Sequence, residues 1–281
     1  MAATLPGFTV EILRQIDSSN SELMRRFRAA APEPGAAGHM PAALLLVAEQ
    51  QTAGRGRLGR SWHSRAGAGL TFSLGLCLKP ADWSGLSLAV GLSLAESLDP
   101  APPERVAAGP PRIQLKWPND LWLNDRKLAG ILVETASWGA LRYVVIGVGI
   151  NVWPPEPGWA PEPSAWGAAP AAASLQELWP GIEAPAALQA VVAPLLRVVQ
   201  AFESAGFAPL QARFAARDAL AGRPVQLSDG SRGVASGVGE NGALRVHTAA
   251  GMQEISSSEV SVRPASPDPD EPPAAARKAA C

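Results

Sequence analysis

The chain has 281 residues, enough to bury one core of ordinary size with a smaller module beside it. Its 24 basic and 25 acidic residues leave no overall charge to draw it to nucleic acid or an anionic membrane, so any basic cluster is a local feature. Two cysteines, Cys77 inside an apolar run and Cys281 at the end, argue against a disulfide framework and suit a reducing cytoplasm.

The first residues lack the basic-then-apolar order of a signal peptide. Apolar segments broken by Gly, Ser or Arg give no expected transmembrane span. Residues 8–30 read as a strand or turn and then a helix. There "SNSE", Ser19 to Glu22, fits a capping box with Leu23, Met24 and Phe27 as its apolar face. "AALLLVAEQ" is a short buried strand ending at Gln50. "LTFSLGLCL" puts Leu70, Phe72, Leu74, Leu76 and Leu78 on one side, which predicts a half-buried strand. "SGLSLAVGLSLAESL" has helical spacing, and "RIQLKW" is a strand stopped by Pro118. "LWLNDRKLAGILVE" predicts a hairpin turning at Asn124–Arg126, and "LRYVVIGVGINV" a β-prone strand with a Gly-rich exit.

Residues 153–170 hold six prolines and three tryptophans, Trp153, Trp159 and Trp166. They form an irregular loop that either serves function or tucks its own aromatics away. Residues 186–217 are helical in pattern. From Ala221 to Val262, short strands are joined at Asp229-Gly230, Asn241-Gly242 and Ala250-Gly251, giving a small SH3-like β-barrel. The Pro-rich, polar tail at 264–281 is expected to be disordered. The class expected is α+β: a mixed or mostly antiparallel sheet with helices, spanning 1–218, and the small β module at 219–263.

Four stretches could carry chemistry. "AGRGRLGRSW", residues 53–62, brings Arg55, Arg57 and Arg60 together with no carboxylate before Asp82. Gly54, Gly56 and Gly59 let backbone approach a ligand, the guanidinium forks match phosphate or carboxylate, and Trp62 can stack on a base. The spacing is not that of a Walker loop. Anion binding, a solvated basic turn and an Arg-Gly nucleic-acid segment all remain open. "KWPNDLWLNDRKLAGILVE", 116–134, places Lys116, Asn119 and Asp120 at a strand end with Lys127 close behind. Such a group can clamp a charged ligand and spare one carboxylate for a metal or proton, and turn capping is the plainer use of Asn119 and Asp120. Only four of the basic residues are lysine, and two of them fall here. "GVGIN", 147–151, ends a strand in two glycines and Asn151. "DSSN", 17–20, is either a helix cap or a polar grip on a ligand.

Taken in order, "DSSN", "EQQTAGRGRLGRSW", "KWPNDLWLNDRKLAGILVE" and "IGVGIN", followed by a small β module, resemble the biotin protein ligases over roughly residues 8 to 263. The resemblance implies a catalytic domain of class II synthetase-like, biotin–lipoate ligase type. It implies that biotin and ATP, with Mg2+, form biotinyl-5′-AMP, and that biotin passes to one lysine of a biotin carboxyl carrier protein, as in acetyl-CoA carboxylase. On this likeness Ser18, Ser19, Asn20 and Gln51 bind the biotin head, and Arg55, Gly56, Arg57 and Lys127 its carboxylate side. Gly54, Arg60, Trp62, Lys116, Asn119 and Asn151 bind the nucleotide. Lys127, Arg57, Lys116 and Asp120 form the catalytic set. Asp120 is open between magnesium, loop positioning and orienting the acceptor amine.

Joining a carboxylate to an α-phosphate brings two anions together, so the cations have a purpose, and a Gly-rich flap that excludes water protects an acyl adenylate. No enzyme nucleophile is needed: Cys77 sits on a strand and the three histidines form no triad. About sixteen residues precede "DSSN", too few for the DNA-binding domain some relatives carry, so no DNA and no membrane partner is expected. Exposed strand edges leave room for a homodimer. The rival readings are a lipoate or octanoate ligase or transferase of the same fold and a non-catalytic Arg-Gly nucleic-acid binder.

Overall fold

The structure is a computed structural model that describes residues 8–30, 42–100, 111–138, 141–155, 172–256 and 262–264. Strand β1 (Phe8–Ile16) leads into helix α1 (Ser19–Ala30) and then β2 (Ala43–Gln51). Two short strands follow, β3 (Gly54–Arg55) and β4 (Ser61–Trp62), then β5 (Gly69–Leu78), α2 (Leu86–Leu98), β6 (Ile113–Lys116) and β7 (Asp120–Leu123). β8 (Arg126–Trp138) and β9 (Leu141–Asn151) are the longest strands, followed by α3 (Ala184–Ala205) and α4 (Gln211–Ala215). The last strands are β10 (Pro224–Leu227), β11 (Arg232–Val238), β12 (Leu244–Thr248), β13 (Gly251–Ile255) and β14 (Val262–Pro264).

Seven strands form one sheet in the order β1-β2-β5-β9-β8-β7-β6, with β1 and β2 parallel and every other pair antiparallel. The expected mixed, mostly antiparallel sheet with helices is what the chain builds. α2 and α3 cover one face. There Phe72, Leu74, Val144 and Ile146 join Leu92 and Leu195 in the main core. α1 covers the other face with Leu23, Met24 and Phe27 against Leu46, Tyr143 and Val145. Burying each such side chain contributes about 1.5–3 kcal/mol.

β5 is therefore not half-buried, as its alternation predicts, but covered on both faces. Thr71 and Ser73 point toward α1 and are as buried as the leucines. Alternation marked which residues face the main core and could not show that a helix caps the polar side.

The start of α1 also departs from expectation. Ser18, not Ser19, caps the helix: its Oγ accepts from the Ser21 N–H at 3.4 Å and its carbonyl from the Glu22 N–H. Glu22 turns away to Arg25 and Arg26, so no capping box forms. The β7–β8 hairpin turns as expected. Asn124 and Asp125 both have positive φ, 51° and 57°, and Leu123 pairs with Arg126, the two-residue turn that matches strand twist.

The helical pattern over 186–217 resolves into α3, a break at Gly206 with φ 61°, and α4. By length and mean hydropathy of 1.4, α3 could cross a membrane, contrary to the sequence expectation. Its residues Val191, Leu195, Val199 and Phe202 are instead buried in the main core.

The C-terminal strands form a five-stranded antiparallel sheet, β13-β12-β11-β10-β14. Its turns put Gly230, Gly242 and Gly251 at positive φ, where the sequence expected them. Pro264, expected in the tail, closes β14 opposite Val225. This sheet is bonded to the elements around the larger one: just past β6 the Trp117 indole N–H, fully buried, donates to the Gly242 carbonyl at 3.1 Å, and Gln211 of α4 donates to the Val238 carbonyl at 2.7 Å. Trp159, Trp166 and residues 265–281 lie outside the described residues; Trp153 is 44% exposed.

Candidate active site

On the α1 face of the sheet, large side chains give way to glycine. Along β9, Tyr143 and Val145 pack under α1, then Gly147 and Gly149 leave a hollow, and Gly130 lies opposite Gly149 on β8. A Cβ on Gly147 would sit 2.1 Å from Asn20 Oδ1, and one on Gly149 2.3 Å from the Trp62 ring. The two glycines of "GVGIN" are thus required by what lies on top of them.

The hollow has a polar floor. Ser18, Ser19 and Asn20, where β1 runs into α1, are at most 4% exposed, and Gln51 at the end of β2 is 9% exposed. Ser19 gives both its backbone N–H and its hydroxyl to Gln51 Oε1, at 2.7 and 2.9 Å. Ser73 Oγ lies 2.7 Å from Ser19 Oγ and 2.6 Å from Asn20 Oδ1. Asn20 Nδ2 donates to the Leu132 carbonyl at 3.2 Å and to Glu134 Oε2 at 3.0 Å. Polar groups this deep are tolerable because they are hydrogen-bonded.

The Arg-Gly stretch forms the roof. β3 and β4 pair as a small hairpin, Gly54 with Trp62 and Arg55 with Ser61, around a single turn at Arg57–Gly59. Gly54 is forced: a Cβ there would meet the Trp62 carbonyl at 2.3 Å. Leu58 and Gly59 take positive φ, 55° and 73°, which holds the turn tight. Arg55 reaches down to Glu134 Oε1 at 3.0 Å. Arg57 is half-buried, and desolvation pulls its pKa below the ordinary value; Asp120 opposes that shift and Arg60 adds to it. An arginine remains charged throughout.

The third wall is the "KWPND" turn and the start of β8. Lys127 Nζ lies 2.7 Å from Asp120 Oδ1 and 5.9 Å from the centre of the Trp62 ring. Lys116 Nζ lies 5.3 Å over Trp122. Asn119 Nδ2 donates to the Ile131 carbonyl at 2.7 Å, so its amide ties this turn to β8 and does not cap it locally. Ser18, Ser19, Asn20, Gln51, Arg55, Gly56, Arg57, Arg60, Trp62, Lys116, Asn119, Asp120 and Lys127 all line this one cavity, of about 130 Å³. Gly54 and Asn151 do not. They line a second, roomier cavity of about 610 Å³ that shares Gln51, Ser61 and Trp62 with the first. Asn151 there donates to the carbonyls of Lys127 and Ala173, at 3.3 and 3.1 Å. Trp62 is the partition between a polar, cation-roofed chamber and a wider one.

Of the residues lining the first cavity, Asp120 is the one carboxylate, and Lys127 already holds it. No group of three His, Cys, Asp or Glu side chains converges among the described residues. Sequence reasoning missed Ser73, Glu134 and Gly130. Ser73 and Glu134 lie 53 and 114 residues from Asn20, and nothing local in the sequence marks them as its partners.

A sheet of this topology, with a small antiparallel module bonded to it and a polar pocket under a cationic hairpin, defines a class. The Biotin/lipoate A/B protein ligase family matches residues 38–151, and the Biotin protein ligase C terminal domain matches residues 221–263. The chain is 34% identical over 267 residues to the bifunctional ligase/repressor BirA of Escherichia coli (strain K12), covering 93% of this chain and 76% of that one. It is 32% identical over 254 residues to the biotin--[acetyl-CoA-carboxylase] ligase of Paracoccus denitrificans, covering 89% of this chain and 98% of that one. Among solved structures, the biotin protein ligase from Aquifex aeolicus in complex with biotin and ATP matches with a TM-score of 0.67 and 28% identity, over 93% of this chain and all of that one. The chain belongs to the biotin protein ligase family, and it is a ligase.

Proposed function

We infer that the first cavity takes biotin and the second the adenosine of ATP, with the reacting carboxylate and α-phosphate meeting beside Trp62. The observation that carries this reading is the position of Arg57 and Lys127, between a neutral polar floor and the shared wall of the two cavities. The floor of Ser18, Ser19, Asn20 and Gln51 offers hydrogen bonds without charge, which suits the cyclic urea of biotin and not the apolar head of lipoate or octanoate. Gly54, Arg60, Asn119 and Asn151 border the nucleotide path, with Trp62 as a stacking surface.

In the first step a biotin carboxylate oxygen attacks the α-phosphorus, an acyl–phosphate bond forms and pyrophosphate leaves. Arg57, Lys116 and Lys127 offset repulsion between the two anions and stabilise the charge that builds up. In the second step a carrier lysine amine attacks the acyl carbon, the amide forms and AMP leaves. Gly56 allows the hairpin backbone to lie close over the intermediate, and Arg55 fastens it.

Magnesium would supply further neutralisation of the phosphates. A single carboxylate already paired with a lysine does not make a resident cation site, so we assign Asp120 to holding Lys127 and leave any magnesium to travel with the nucleotide. The acceptor is taken to be a biotin carboxyl carrier domain and the compartment the cytoplasm, in keeping with a free Cys77. The outer edge of β1 leaves room for a second copy of the chain. The Arg-Gly nucleic-acid reading is disfavoured because Arg55, Arg57 and Arg60 line the cavity.

The test is to incubate the purified protein with biotin, magnesium-ATP and a carrier domain and to weigh the carrier by mass spectrometry. A carrier heavier by one biotinyl group is expected. No mass change with biotin, or modification by lipoate in its place, overturns the reading.

A further inference from the structure

Glu134 ends the stretch 116–134, away from its charged cluster, yet it touches both halves of the site. Its Oε2 accepts from Asn20 Nδ2 at 3.0 Å and from Arg55 Nη1 at 3.3 Å, and its Oε1 lies 3.0 Å from the same Nη1. Arg55 belongs to the hairpin roof and Asn20 to the buried floor. The carboxylate is 22% exposed, facing the roof on one side and the floor on the other.

Counting hydrogen atoms shows what this contact does. Asn20 Nδ2 carries two, and both are taken, one by the Leu132 carbonyl and one by Glu134. Both acceptors can only accept, so the amide has one orientation: nitrogen toward β8, oxygen toward Ser73 and the cavity. Ser73 fills one lone pair of Oδ1 at 2.6 Å. The second lone pair is left to a ligand N–H. Gly147 beneath gives the amide no room to shift toward the strand, because even a methyl there would overlap Oδ1.

We propose that Glu134 is a positioning residue that fixes the polarity of the floor through Asn20 and, with the same carboxylate, latches the hairpin roof through Arg55. This rests on the reading of Asn20 as the floor of a biotin pocket. A carboxylate is needed because it is acceptor-only at both oxygens. A carboxamide has one acceptor oxygen and one NH2: with the oxygen in the place of Oε1 the NH2 opposes Asn20 Nδ2, and with the oxygen in the place of Oε2 it still accepts from Asn20 but sets the NH2 against the guanidinium. The glutamate serves both partners with no donor opposing a donor, and glutamine in either orientation sets its NH2 against one of them.

The test is Glu134→Gln, measured by biotin-dependent ATP–pyrophosphate exchange and by the rate at which preformed biotinyl-5′-AMP leaves the enzyme, with thermal melting alongside. Expected are a biotin KM raised about tenfold with kcat for exchange within about twofold, and release of the adenylate faster by about fivefold. Glu134→Asp, which keeps the charge on a shorter arm, should restore part of the KM effect. Arg55→Gln should speed adenylate release without raising the biotin KM as far, and adding it to Glu134→Gln should speed release little further. A glutamine variant with parent-like KM and release, or one whose kcat falls while KM holds, overturns the proposal. So do strictly additive effects of the two substitutions on release. If the glutamine variant fails to fold, the Arg55→Gln release rate decides, and an unchanged rate overturns the latch. A parent protein with no biotin-dependent exchange at all overturns the functional reading itself and the proposal with it, an outcome distinct from an active parent with an indifferent variant.

Discussion

The floor and the roof of the pocket are built on opposite principles. The floor is buried, uncharged and hydrogen-bonded, with Ser19, Gln51, Ser73 and Asn20 in one chain of contacts. The roof is exposed and cationic, two residues of ladder on either side of one turn, with Leu58 59% exposed. A floor of that kind is preorganised and discriminates by unpaired polar groups when the wrong head enters. A roof of that kind has few contacts to lose on opening, which suits a part that must admit one ligand and later a protein side chain.

The largest break in this contrast should come where the two meet. Lys127→Ala is expected to lower exchange activity by about 10²–10³-fold. Its melting temperature should fall by no more than about 2 °C, since the side chain is 44% exposed. A large loss of stability with modest loss of activity would make Lys127 part of the scaffold instead. Next is the roof. Arg57→Gly should leave melting unchanged but let adenylate escape about ten- to a hundredfold faster, the equivalent of one charge-assisted contact. Escaped adenylate should then label lysines of a bystander protein, read by streptavidin blotting; unchanged retention would remove Arg57 from the roof's function.

The same glycine substitution in both regions sharpens the comparison. Gly147→Ala, beneath the floor, should raise the biotin KM about tenfold and cost about 1–3 kcal/mol of stability through overpacking. Gly59→Ala, in the roof, meets nothing within 4 Å and should cost only about 1–2 kcal/mol of left-handed strain, with the biotin KM unchanged. Equal effects on KM would mean the floor is no more sensitive than the roof.

The smallest effect is one of pH. Arg25 beside Asp17 holds that carboxyl below its ordinary value of 3.8, at the entrance to the floor. A depressed carboxyl stabilises the fold above pH 3.8, and the contribution is lost as pH falls through the lower folded value. The pair is nearly half exposed, so the contribution is less than about 1 kcal/mol. The melting difference between the parent and Asp17→Asn should be present near neutrality and vanish in acid; a difference that grows in acid would reverse the assignment.

Much of this was legible because it was local. The Asn124–Asp125 turn, the glycines of the small sheet and the apolar face of α1 each depend on residues a few positions apart. The helix cap was misplaced by one residue because Ser18 and Ser19 are chemically alike, and Ser19 is claimed by Gln51, 32 residues on. The site's charged members were visible as unusual clusters of one charge. Its neutral and positioning members were not: Ser73 hides in an alternating strand and Glu134 at the end of an apolar run. Gly130 reads as an ordinary strand glycine until Lys127 and Trp62 are seen above it.

The indole of Trp117, tethered to Gly242, gives the C-terminal sheet a say in chemistry it never touches. Cutting the chain after residue 220 would strand a buried donor and unroof the packing behind the segment that carries Lys116, Asn119 and Asp120. The smaller sheet is thus a buttress for the loop, and an amputated enzyme should lose the placing of Lys116 before it loses its hold on the vitamin.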